Sequence, residues 1–295
     1  VYKRQNQIMT NSPSLGPVAL CTLVSTDGEA LASSYTRWLY QQISATGELD
    51  SKTASALGLP QLEGQRYWLL SNTRGLQWLQ IIDFPEATPR DSLATYGWLA
   101  MEVLVENVDE LADRLEGSPF KLLRPAADLD VSDKIRACQV KGPAGEILYL
   151  TQVKGEVPPF DLPSCEAPVD HLFIPVLSTP SRDRSLEQYS AISGNEGISF
   201  DTKITVVNQA RGFELDLRHP VATLQLAGQA LIEIDQIDDT GEAPTGINSG
   251  VANIAFYCAA NAGEHARQLT EGPLAGHRAD GHEGCAGESF TLVYS

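Results

Sequence analysis

The chain has 295 residues, 42% hydrophobic and 20% charged, with 24 Gly and 17 Pro. That is enough for about two domains, or one large one, with a sizeable core, and it excludes collagen-like and low-complexity classes. Lys and Arg number 21 against 38 Asp and Glu, a formal net charge of −17. This charge repels phosphate backbones and anionic lipid, so nucleic-acid and membrane partners are not expected.

No apolar run approaches the roughly 20 residues of a membrane-spanning helix. Residues 1–15 read as a leader and stay outside the fold. Five cysteines occur without a CxxC pair, which suits buried free thiols in a reducing cytoplasm. Nucleotide-binding, zinc-protease and α/β-hydrolase motifs are absent from the sequence.

In chain order, Val18–Val24 reads as a strand, and Asp27 caps a helix running to Leu39. Arg66–Ser71 and Leu76–Phe84 form a hairpin around Asn72–Gly75, with a further strand near 56–62 or none. Trp98–Val105 is a strand. Asn107 with Glu110 is a capping box whose helix stops at Gly117. Phe120–Leu123, Ile135–Val140 and Glu146–Val153 are strands. Residues 155–168 carry four prolines and read as a linker.

The pattern then restarts with a strand at Val169–Val176 and a helix over 181–193. Strands follow at Lys203–Asn208, Gly212–Arg218 and within Ala222–Ile237, then a loop over 238–250. Ala252–Ala259 is a strand, Asn261 with Glu264 opens a helix to Gly272, and Phe290–Tyr294 closes the chain. The expected fold class is α+β. Two similar halves, 16–154 and 169–295, each hold two βαβββ-type units in a curved mixed sheet flanked by helices.

Four short matches support a duplication. Trp98-Leu99-Ala100-Met101 matches Asn253-Ile254-Ala255-Phe256, and Glu116-Gly117 matches Glu271-Gly272. Ala144-Gly145-Glu146 matches Ala286-Gly287-Glu288, and Arg74–Gln77 matches Arg211–Glu214. With the strand-turn-strand of residues 141–150 (KGPAGEILYL), these residues resemble the vicinal oxygen chelate superfamily, the group of glyoxalase I, bleomycin-resistance proteins and extradiol dioxygenases. The resemblance spans nearly all of residues 16–295. It implies open cups with a site inside each.

In metal-using members, the resemblance implies ligands on the first strands of paired units and on a last strand, four residues after the turn glycine. In the C-terminal half these positions fall on His171, Asn253 and Thr291; in the N-terminal half they fall on Leu20, Trp98 and Tyr149. Only His171 is a usual metal ligand, and alone it holds none, so no cofactor is expected; a divalent metal would need ligands from elsewhere, such as Glu214.

His171 reads either as a general base with Asn253 and Thr291 beside it, or as a paired core histidine. Period-two alternation puts Glu102 on the cup side if Trp98 is there. With Trp78, the side chains of Trp98 and Tyr149 would offer a planar ligand an aromatic lining, and core packing explains them equally. The His277, His282, Glu283 and Cys285 segment matches no zinc spacing and reads as a solvated loop. Two functions stay open: an enzyme acting on a small organic ligand in the C-terminal cup, or a bleomycin-resistance-type protein that sequesters such a ligand without chemistry. The expected partner is a small organic molecule, and the chain a monomer or homodimer.

Overall fold

The computed structural model describes residues 13–129, 132–238, 241 and 245–294. Most of the expected leader, residues 1–12, and part of the 238–250 loop lie outside the described residues. Unit one runs β1 (Leu15–Ser25), α1 (Gly28–Trp38), β2 (Gln42–Glu48), α2 (Ser51–Ala56), a 3-10 turn (Pro60–Leu62), β3 (Arg66–Ser71) and β4 (Gln77–Asp83). Unit two is β5 (Gly97–Val105), α3 (Val108–Arg114), β6 (Lys121–Leu129), β7 (Ser132–Lys141) and β8 (Ile147–Val153).

Unit three repeats the first as β9 (Val169–Thr179), α4 (Arg182–Ser193), β10 (Ile198–Lys203), α5 (Thr205–Arg211), β11 (Arg218–Gln225) and β12 (Leu231–Gln236). Unit four is β13 (Gly250–Cys258), β14 (Arg267–Gln268), β15 (Arg278–Glu283) and β16 (Ser289–Tyr294). No helix among the described residues is long and apolar enough to cross a membrane.

Local chemistry sets several of these boundaries. Asp27 accepts from Ala30 N, and Asn107 from the amides of Asp109 and Glu110, so both expected caps form. The helix expected over 261–272 does not. Gly263 sits in what would be its first turn, where glycine costs about 1 kcal/mol against alanine. Arg267 and Gln268 instead pair with Ala279 and Arg278, extending the sheet. Residues 56–62 hold the end of α2 and the 3-10 turn, and the extra strand is β2. Lys203–Asn208 is the end of β10 and the start of α5, not one strand, and 212–217 is a loop.

Two eight-stranded mixed sheets result, ordered β14-β15-β16-β13-β1-β4-β3-β2 and β10-β11-β12-β9-β5-β8-β7-β6. The two similar halves of the fold are therefore these sheets, and neither is a stretch of the chain. Unit one pairs with unit four through β1 and β13, and unit two with unit three through β5 and β9. The expected C-terminal cup, built from residues 169–295 alone, does not exist.

Alternation divides each central strand between two environments. Cys21, Leu23, Met101, Val103, Leu148, Leu177, Ile234, Ile254 and Phe290 join one core shared by both sheets and by Tyr35, Leu111 and Tyr189 of three helices. Cys21 Sγ lies 3.2 Å from Met101 Sδ across that core. The intervening residues face the two cups. The Arg74/Arg211 match has no structural counterpart, because Arg74 lies in the β3–β4 turn and Arg211 ends α5.

Candidate active site in the second cup

The floor of the first cup is Thr22, Gln80, Asn253 and Thr291, all fully buried. Thr22 stands opposite both Asn253 and Gln80 in the sheet, which brings the four together. Apart from Gln80 Nε2, which has no partner, their polar atoms are largely committed. Asn253 Nδ2 donates to Leu57 O and to Ser289 Oγ, both at 3.0 Å. Thr291 Oγ1 lies 2.9 Å from Ala56 O and 3.2 Å from Asn253 Oδ1. The segment after α2 thus enters the cup and is bonded to its floor. Its Ala54, Leu57, Leu59 and Leu62 pack with Leu20, Val24, Ala255 and Val293 into a dedicated core.

The second cup is covered in the same way by α5, whose Ile204, Val206 and Val207 pack on Ala100, Ile147, Tyr149 and Val176. Its floor differs. Glu102 on β5 stands opposite Tyr149 on β8, and Glu233 on β12 stands opposite Val176 on β9. Asp235 follows two residues on, on the same face. Asp235 is fully buried, Tyr149 and Glu102 are each 8% exposed, and Glu233 is partly exposed.

Tyr149 Oη has no partner, and the side chain that meets the Asp235 carboxyl is another carboxyl, that of Glu233. Burial, then the charges of Asp235, Glu233 and Glu102, push the Tyr149 phenol up. Burial pushes Glu102 up, with the Glu233 charge adding to it, and Asp235 is raised by burial and then by Glu233. Glu233 can pair with Asp235 only when one of them carries a proton.

Sequence reasoning found Glu102 and Tyr149, and the structure brings them together. It missed Glu233 and Asp235, although Ile232-Glu233-Ile234-Asp235 alternates strictly and marks two acids on one strand face. Trp98 leaves the cup. A β-bulge between Trp98 and Ala100 reverses the alternation there, so the indole enters the shared core and donates to Ser289 O at 2.8 Å. Trp78 lies in the same core and bonds Gln41. Glu214 is exposed on the loop after α5 and reaches no cup floor.

His171 stands apart from Asn253 and Thr291, which belong to the other sheet. Its Nδ1 lies 2.8 Å from Asp170 Oδ1, which also accepts from Asn72 Nδ2 at 2.6 Å. Burial pushes Asp170 up, but bonds from His171, the Glu166 amide and Asn72 outweigh it and hold the carboxyl below its usual range. The strand position that faces the second cup is Val176, not His171.

Comparison with solved structures names this architecture. Glyoxalase I from maize (Zea mays) matches over 94% of this chain and 92% of its own, at 11% identity and a TM-score of 0.61. A Bacillus subtilis protein assigned to the dioxygenases matches over 96% of this chain and 86% of its own, at 12% identity and a TM-score of 0.62. The chain has the vicinal oxygen chelate fold. No protein-family model and no curated protein matches the sequence.

The metal that the vicinal oxygen chelate resemblance implies does not fit either cup. The first offers hydroxyls and amides largely spent on the protein itself. In the second, the positions equivalent by register to Thr22, Gln80, Asn253 and Thr291 are Val176, Glu233, Ala100 and Tyr149, a single carboxylate among four. Among the described residues, no three His, Cys, Asp or Glu side chains are grouped to hold a metal ion.

Proposed function

We propose that this glyoxalase- and dioxygenase-like scaffold works without a metal and binds a small organic ligand in the second cup, on Glu102, Tyr149, Glu233 and Asp235. One observation carries the reading: Tyr149 Oη is buried on the cup floor with no partner, and the Asp235 carboxyl there is met only by another carboxyl, that of Glu233. Leaving such groups unpaired costs about 1–3 kcal/mol each, and a ligand that bonds them recovers it. The first cup also leaves one such atom, Gln80 Nε2, but α2 and the segment after it are bonded into that cup.

A ligand-observed NMR screen of acidic, neutral and basic fragments against the intact protein tests this. Bound fragments are expected to be lost with Tyr149→Phe and retained with Thr22→Val in the first cup. The opposite pattern would overturn the reading. A second reading, catalysis in the same cup, is favoured by Glu102: a carboxyl held protonated above its usual range is a general acid in waiting. It requires turnover of a bound fragment that disappears with Glu102→Gln while binding persists; binding without turnover leaves a sequestering protein.

A further inference from the structure

By register and alternation Glu102, Glu233 and Asp235 lie on the cup side of β5 and β12. Glu233 and Asp235 bond each other and Thr151 bonds Glu102, and among the described residues no lysine or arginine is hydrogen-bonded or ion-paired to any of the three. Enclosed carboxylates are normally paired with a cation or hold a proton. A single metal ion needs its oxygens to meet at one point, about 2.0–2.6 Å away, and these side chains are not so grouped. An ammonium or guanidinium group on a short carbon chain spreads several N–H donors over a longer reach, so separate carboxylates can each bond it.

Tyr149 adds an independent observation. It stands opposite Glu102 in the sheet, packs inside the cup with Val176 and Val207, and its buried hydroxyl has no partner. The two cups also differ in how their covers are attached. The segment after α2 is bonded to its floor through Asn253, Ser289 and Thr291. The α5 cover packs on its floor through Ile204, Val206 and Val207, and Asn208 bonds Leu215 O and Leu217 O of the following loop and, at 2.6 Å, the His219 ring on β11 at the cup's edge. Glu233, partly exposed, marks where the acidic floor meets solvent.

We propose that the second cup is a site for a small organic cation, an amine or guanidine carrying several N–H donors, held by Glu102, Glu233 and Asp235 with Tyr149 as a further polar contact. This rests on the ligand-binding reading of the same cup and adds the chemical class. Entry of a ligand requires α5 to move aside, since Ile204, Val206 and Val207 pack on the floor. The chain's net charge of −17 favours the approach of cations over anions.

Isothermal titration calorimetry of the intact protein with 1,4-diaminobutane and methylguanidinium decides it, beside 1,4-butanediol as a neutral chain of equal length and Mg²⁺ and Zn²⁺ as metals. One of the organic cations is expected to bind one-to-one, and the diol at least about tenfold more weakly. Asp235→Asn and, separately, Glu102→Gln are expected to weaken the cation by about tenfold or more, so one variant that fails to fold leaves the other as the test. Equal binding of diol and diamine, lost in Tyr149→Phe, would overturn the cation class and leave the cup as a ligand site. Stoichiometric binding of either metal at the cup would overturn the class and the metal-free reading together. If neither the organic cations nor any fragment of the NMR screen binds, both readings fail, and the three acids are simply buried and protonated.

Discussion

Glu146 and Glu288 occupy the same place in two repeats, and each closes a turn. Glu146 accepts from Tyr35 Oη at 3.0 Å and from Ala144 N at 2.9 Å; Glu288 accepts from Tyr189 Oη and Ala286 N, both at 2.9 Å. Gly142 and Gly284 make room, since a Cβ at either would collide with the carboxylate. Tyr35→Phe is expected to cost about 1–2 kcal/mol in urea unfolding, because a buried acceptor loses its donor. Burial pushes Glu146 up to about 7, against the opposing bonds from its own amide, Tyr35 and Ala144 and the charge of Lys141. With an ordinary value near 4.5, the folded chain holds a proton that the unfolded chain has released across that window. Stability should therefore fall as pH rises from about 4.5 to 7. Tm measured across this range is expected to drop, and to drop less in Glu146→Gln; an equal drop would show that Glu146 is not among the groups responsible.

At the scale of elements, two helical inserts fill two cups by different means. Asn253→Ala removes the donor to Leu57 O and Ser289 Oγ and is expected to destabilise the protein by about 1–3 kcal/mol. Faster amide exchange in residues 51–62 should accompany it. In the unmodified protein, amides of 205–217 are expected to exchange faster than those of 51–62, since α5 meets its sheet through the Asn208–His219 bond and apolar packing, whereas Asn253, Ser289 and Thr291 each bond Ala56 or Leu57. Equal protection of the two segments, read by mass spectrometry, would mean that α5 is held as firmly and opens no cup.

Across the whole molecule, each sheet takes strands from both sides of residues 155–168. Trp98 ties the sheets together by donating to Ser289 O, and its ring lies 6.3 Å from that of Phe256. Cleavage within 155–168 is therefore expected to leave two fragments that co-elute in size exclusion and separate only in denaturant. Fragments that elute separately and folded would contradict the strand order. Residues 1–154 expressed alone leave β1 and β5 without their partners β13 and β9 and should not form the native sheets.

The duplication, the strand-turn-strand of residues 141–150, most strands and two helix caps were legible in the sequence, because each depends on neighbours a few residues away or on alternation along one strand; Glu102 was reached only through the premise that Trp98 faces the cup, which the bulge removes. The pairing of the units, the reversal at Trp98, the separation of His171 from Asn253 and Thr291, and the loss of the 261–272 helix were not. Those depend on which distant strand completes each sheet and on where a bulge shifts its register, and such contacts between residues more than a hundred positions apart leave no local periodicity to read.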